Sequence, residues 1–364
     1  MPRLASVLFA ATLIAIAPTA LPQAATAAPR RFVVLSSRAA VTNTVPPMRT
    51  SDYREIPYTI GGKTLNIFVG PYSYSGGYGL ASGLGGKLWY TLNNYGSSYI
   101  ASVLPTGKDP VTYTVPGGGY ANGIVESPDG THMWFTENGG PNRYGSITKN
   151  GIMTQYSITN SPTTALITAG GDKRLWFGVS GGHMAATDQS GGLTLYPLPN
   201  ANDSEYGIAL GPDGNIWYAQ GSGYSSATIG KITPDGTATD FALGFLASGI
   251  APGNDKIWLG AESIAQIASV TTSGTGLTTY GSGISGLPIS IITGPDGNEY
   301  FSEYVSTTGQ AAVAKLVPAS GAVTEYALPY GFKPSSVVVG PDKNIWVLDS
   351  AHDQLGQLVL PKKK

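Results

Sequence analysis

All six tryptophans of the chain stand at one position of one recurring pattern, a tight turn followed at once by an apolar pair. They are Trp89 in GGKLWYT, Trp134 in PDGTHMWFTE, Trp176 in GDKRLWFG, Trp217 in GPDGNIWYAQ, Trp258 in GNDKIWLG and Trp346 in GPDKNIWVLD. A seventh copy, GPDGNEYFSE, carries Tyr300 where the indole belongs, and the seven anchors are spaced by 45, 42, 41, 41, 42 and 46 residues. In the turn Gly211-Pro212-Asp213-Gly214, proline pre-sets φ, aspartate accepts a local backbone bond and glycine tolerates positive φ. Alternating β-formers on both sides make this a hairpin. A second motif, such as IGKITPDGTATDFAL or VAKLVPASGAVTEYALP, follows each anchor and reads as two more strands. Each repeat then holds four antiparallel strands, and a period of this length is that of a propeller. The sequence predicts an all-β, seven-bladed β-propeller of four-stranded antiparallel blades.

The ends of the chain suggest how such a ring closes. Residues 52–58, DYREIPY, resemble the outermost strand of other repeats, which the final repeat lacks before the chain stops in PKKK. An N-terminal strand completing the last blade would pair the first blade with the last and leave few open edges. Residues 52–361 are accordingly assigned to the propeller. Residues 1–27 combine a basic start, a short apolar run and the small-residue site Ala25-Thr26-Ala27, the pattern of a cleaved signal peptide. Residues 28–51, with three prolines and no periodicity, are expected to be a flexible lead-in, and residues 362–364 a solvated basic tail. The expected location is secreted or periplasmic, without a membrane span.

Composition excludes several classes of function. There is no cysteine, so disulfides, thiolate metal sites and a cysteine nucleophile are ruled out. Twenty-one basic against 22 acidic residues give no global field for nucleic acid. Only His132, His183 and His352 could supply an imidazole; they fall at three different repeat positions, without zinc-site spacing, and read as surface or packing residues. The recurring Asp129, Asp213, Asp235 and Asp296 are explained by turn chemistry rather than by calcium.

Superposing the repeats locates a candidate site. The position before the first apolar pair of each innermost strand would ring the axial opening: Tyr78, Asn122, Thr164, Tyr206, Ser248, Ile289 and Ser335. Three residues after the anchors come Glu137, Gln220, Glu303 and Asp349, alongside apolar residues in the other repeats. These could give the opening an acidic hydrogen-bonding rim, or equally cap a neighbouring turn. Tyr78, Asn122, Tyr206, Ser248, Ser335, Glu137 and Gln220 are the ligand-binding candidates, and Glu303 and Asp349 the weaker catalytic ones.

With GPDGxxWF anchors, IGKIT strands and TEYxLP outer strands recurring together over residues 52–359, the chain resembles the virginiamycin B lyase (streptogramin lyase) family of seven-bladed propellers. The resemblance implies a carbon–oxygen lyase that opens the lactone of a cyclic depsipeptide by elimination, with magnesium as cofactor. It also implies a basic histidine on the last blade's inner strand, a magnesium-binding glutamate two residues before it, and a second histidine one blade earlier. Here Lys333-Pro334-Ser335 and Pro288-Ile289 stand at those places. A serine without a base is poorly matched to proton abstraction near neutral pH, and lysine repels a divalent cation. The expectation is therefore an exported, monomeric propeller that binds a small polar ligand, glycan, peptide or protein partner at the channel mouth. A magnesium-dependent lyase using Glu303 or Asp349 is the alternative; no metal site is read from the residues themselves.

Overall fold

The computed structural model describes residues 25–26, 33–35, 38–49, 51–60, 62–70, 77–94, 96–139, 142–158, 164–200, 204–223 and 226–361. Its strands form seven antiparallel sheets, each begun by one inner strand and followed outward by its chain neighbours. Each inner strand packs on the inner strands of the blades before and after it, and that of blade 7 (Pro334–Val339) packs on that of blade 1 (Leu80–Gly83). The ring is a closed seven-bladed propeller without α-helices among the described residues.

The anchors lie on the second strand of every blade, and five of the six indoles are less than 2 % exposed. The turn aspartates hold them. Asp213 Oδ1 accepts from Trp217 Nε1 at 2.9 Å, Asp342 Oδ1 from Trp346 Nε1 at 2.9 Å, and Asp296 Oδ2 from the Tyr300 hydroxyl at 2.9 Å. An aromatic from the outer strand stacks on the anchor, as Tyr113 does on Trp89 and Phe241 on Trp217. In blades 3, 4 and 7 the turn thus buries an indole with its N–H satisfied by the turn aspartate, while Trp89 donates to the Leu84 carbonyl instead.

Closure follows the expected principle with a different strand. The fourth strand of blade 7 is Lys63–Val69, paired with Gln354–Leu358 through Leu65↔Leu358 and Ile67↔Gly356. Residues 52–58, read from the sequence as the closing strand, fall mostly in Arg54–Ile60, which pairs outside it as a fifth. Burial explains the order: Leu65, Ile67 and Phe68 are at most 2 % exposed, whereas most of Arg54–Ile60 faces solvent.

The lead-in departs further from expectation. Ala25–Thr26, Val33–Leu35, Arg38–Thr44 and Met48–Arg49 add a fifth strand to blades 4, 3, 2 and 1 respectively. Ala25–Thr26 falls within the segment assigned to cleavage. The outer strand of each blade presents unpaired N–H and C=O groups, and the N-terminal segment satisfies them where propensity alone suggested a loop. A buried cluster ties this belt to the seam: the Tyr53 and Tyr90 hydroxyls bond each other and both lie within hydrogen-bond distance of Asp353 Oδ1, at 2.9 and 3.2 Å.

Two ends of the ring follow from this topology. The Asp-Gly turns leave each inner strand at one end, the turn face. The connections into the inner strands and the hairpins after the anchored strands share the other, the mouth face. Inner strands of blades 2, 3, 4, 6 and 7 carry a register shift near their first residues, which splays them at the mouth. Glycine permits the close approach there, since a Cβ at Gly79 would lie 2.3 Å from the Asn122 carbonyl oxygen.

Candidate functional site

The axial channel encloses about 790 Å³ and is walled by all seven inner strands. Tyr78, Asn122, Ser248 and Ser335 line it, as their place in the repeat predicted. Tyr206 and Thr164 begin the inner strands of blades 4 and 3, but their side chains lie outside the described residues. The described residues lining the channel include no Asp, Glu, Lys, Arg or His. Most of the wall is Leu, Ile, Val, Ala and Gly, with a few hydroxyls and the Asn122 amide.

The hydroxyls are largely spent on joining blades. Ser248 Oγ donates to the Pro288 carbonyl at 2.6 Å, and Ser335 Oγ to the Gly77 and Leu348 carbonyls at 3.0 and 3.3 Å. Ser336 Oγ bonds the Tyr78 carbonyl. On the mouth face stand Tyr78, Tyr120, Leu287 and Tyr330, all exposed, and of these Tyr78 lines the channel. An apolar chamber therefore opens beside the exposed Tyr78 ring, an arrangement suited to ring-bearing ligands.

Glu137, Gln220, Glu303 and Asp349 do not form an acidic rim. All are at most 2 % exposed, and each ends an anchored strand beneath the connection that enters its own blade. Gln220 Nε2 donates to the Asn200 carbonyl at 2.9 Å; Glu303 Oε2 accepts from Gly286 N–H at 3.3 Å; Asp349 Oδ1 accepts from Lys333 N–H at 3.1 Å. Gln155 Nε2 donates to Glu137 Oε1 at 2.7 Å. These are the loop caps that the repeat position equally suggested.

Burial raises the Glu137 carboxyl to about 7. Glu303 is pushed up to about 8 by burial and by Glu325. Ser285 Oγ bridges that pair, 3.3 Å from Glu303 Oε1 and 3.0 Å from Glu325 Oε2. Desolvation and the neighbouring Glu325 favour the protonated form of Glu303.

One pairing was not legible. His352, read as a surface residue, has Nδ1 2.8 Å from Asp349 Oδ2, with the histidine side chain 54 % exposed and the carboxylate fully buried. Asp349 Oδ1 is already held by Lys333 and Ala351 N–H groups. The hairpin after the blade 7 anchor thus offers an oriented imidazole beside Lys333-Pro334-Ser335. The i, i+3 spacing was the only signal, and it is common in turns. His132, at the turn face, meets Thr131 Oγ1 instead.

Magnesium, implied by the resemblance, does not fit these residues. Both Asp349 oxygens are engaged, and exposed Lys333 occupies the place of a carboxylate. Among the described residues no group of three His, Cys, Asp or Glu comes together as a metal-holding set.

Fold and site together define a seven-bladed propeller with an apolar axial chamber walled by its inner strands. The chain belongs to the Virginiamycin B lyase family, whose model matches residues 142–362. Virginiamycin B lyase of Nocardia farcinica is 28 % identical over 239 residues, covering 64 % of this chain and 77 % of its own. Among solved structures, a catalytically inactive virginiamycin B lyase from Staphylococcus aureus with Quinupristin has a TM-score of 0.72 at 26 % identity, over 82 % of this chain and 99 % of its own. A streptogramin B lyase structure scores 0.72 at 25 % identity, over 82 % and 97 %. The WD40 propeller domain of Doa1, at 13 % identity and TM-score 0.62 over 86 % and 98 %, shares the fold alone.

Proposed function

We propose that this propeller is an exported, monomeric binding protein that takes an uncharged, ring-bearing ligand at the channel mouth. It would do so without the magnesium-assisted elimination of its relatives. The observation that carries this reading is the chamber wall. A charged ligand entering it would lose hydration with no opposite charge to meet among the described lining residues, whereas a neutral ring stacks on Tyr78 and buries apolar surface.

The chemistry at the matching positions supports the same conclusion. Ser335 Oγ is committed to two backbone carbonyls, and Lys333 and Ile289 supply neither a base nor a metal ligand. The inactive Staphylococcus aureus relative, solved with Quinupristin, is a precedent for a propeller of this shape holding such a molecule without turning it over. A neutral cyclic depsipeptide or glycan ring is therefore favoured over a charged small molecule. Export rests on the sequence of residues 1–27, and no helix among the described residues is long and apolar enough to cross a membrane.

A second reading is favoured by one observation, the His352–Asp349 pair. If the protein acts on a lactone at all, this imidazole is the group placed to accept the proton, its Nδ1 held by a buried carboxylate. Incubation with Quinupristin separates the readings. Binding predicts a saturable rise in melting temperature with the macrolactone recovered intact, reduced by Tyr78→Ala. Accumulation of ring-opened product, abolished by His352→Ala, would establish the second reading.

A further inference from the structure

The turn face carries a second cavity, of about 540 Å³, between blades 6 and 7. Its origin lies in how the ring is built. At the other junctions, the turn between the third and fourth strands of one blade lies over the outer aromatic of the blade before. Gly107 of blade 1 sits on Phe68, Gly151 on Tyr113, Gly191 on Tyr156, Gly274 on Phe241 and Gly321 on Tyr280. Between blades 3 and 4 the Pro234 carbonyl takes the same place over Arg174, which lies 4.7 Å from the Trp176 ring.

Blade 7 has no such turn. Its third strand, Gln354–Leu358, runs into Val359-Leu360-Pro361, while its fourth strand starts afresh at Lys63. Among the described residues no turn takes its place over the outer aromatic of blade 6, Tyr326. This is also the one blade whose anchor, Tyr300, is smaller than an indole. The cavity coincides with both deficits and is walled by Tyr300, Tyr326, Leu358, Leu360, Pro295 and Pro361.

Charge at its edge is unbalanced. Asp296 accepts from Lys315 at 3.2 Å, Asn298 at 2.7 Å and the Tyr300 hydroxyl. Asp342 accepts from Trp346, Asn344 and Gln357. Lys63 and Lys343 line the same cavity and make no ion pair among the described residues. A cavity walled by aromatic and apolar side chains, with three lysines against two carboxylates at its edge, matches a flat aromatic carboxylate.

We propose that the seam between blades 6 and 7 is a second binding site, separate from the mouth, for a planar aromatic anion of the indole-carboxylate class. The probe is indole-3-carboxylate, titrated into the full chain by calorimetry, with neutral indole in parallel. Saturable binding of the carboxylate is expected, tighter than that of indole. Tyr300→Trp restores the side chain used by the other six blades, with Asp296 in place to accept its N–H; it should keep the fold and weaken binding at least tenfold.

Lys343→Gly tests the charge without backbone strain. Lys343 has φ of 65°, and glycine holds the corresponding turn position in blades 2, 4 and 6, with φ of 67°, 78° and 81°. It should weaken the carboxylate several-fold and leave indole unchanged, and Tyr78→Ala at the mouth should alter neither. Absence of saturable binding at millimolar probe, equal affinity in folded Tyr300→Trp, or loss through Tyr78→Ala alone would each overturn the proposal.

Discussion

Replacing Ile67 by alanine tests which strand closes the ring. Ile67 lies on Lys63–Val69, is 2 % exposed, and packs in a cluster with Leu65, Val313, Leu328 and Val347 from blades 6 and 7. Removing three carbons from such a site costs about 2–5 kcal/mol, the spread reflecting how far the cavity collapses. For a domain of this size each kcal/mol lowers the melting temperature by roughly 2 °C, so a drop of about 4–10 °C is expected by scanning calorimetry. Ile56 is the control: it stands directly opposite Ile67 on the fifth strand but is only half-buried. Ile56→Ala should cost under about 1 kcal/mol, since it removes a side chain that already meets water. If Ile56→Ala lowered the melting temperature as much as Ile67→Ala, the outer strand would be the true closure and the assignment of blade 7 would be refuted.

Two further expectations concern the buried polar groups. Asp213→Ala strands the fully buried Trp217 N–H and should destabilise by about 1–3 kcal/mol. Asp129→Ala, whose carboxylate bonds Ser127 and Thr131 rather than an indole, should cost less in the same urea titration. The raised carboxyls set a pH dependence. Glu137 and Glu299 titrate near about 7 and Glu303 near about 8, so the native state holds protons that the unfolded chain has lost. Their stabilising contribution is complete below the ordinary glutamate range and is lost as pH rises towards 8. Glu303→Gln should flatten the upper part of that decline; wild-type stability that rose between pH 5 and 8 would contradict the burial argument.

How far the sequence reaches depends on whether a feature repeats. The blades were legible because burying an indole requires the same turn each time, and seven copies average out local noise. The inner-ring positions were legible for the same reason, placing Tyr78, Asn122, Ser248 and Ser335 on the channel wall. Where the repeat breaks, the reading failed. DYREIPY imitates an outer strand in pattern, but KTLNIFV carries the buried apolar residues and takes the inner place. The belt strands carry no periodic signal, because pairing to an exposed edge asks only for extended backbone. The carboxylates after the anchors were found by position, but whether a side chain points into a channel or under a loop depends on strand twist and on the local backbone donors. The seam cavity arises from a turn that is missing, which no motif records.

The central claim is that the mouth of this wheel recognises a ligand without breaking it. It is tested most directly by mass spectrometry of the macrolactone probe after prolonged incubation in large excess over the protein, run beside a melting curve of the same mixture. The account predicts a stabilised protein and a ligand of unchanged mass and retention. A ring-opened product formed in excess over protein would contradict it and shift the function to the His352–Asp349 pair.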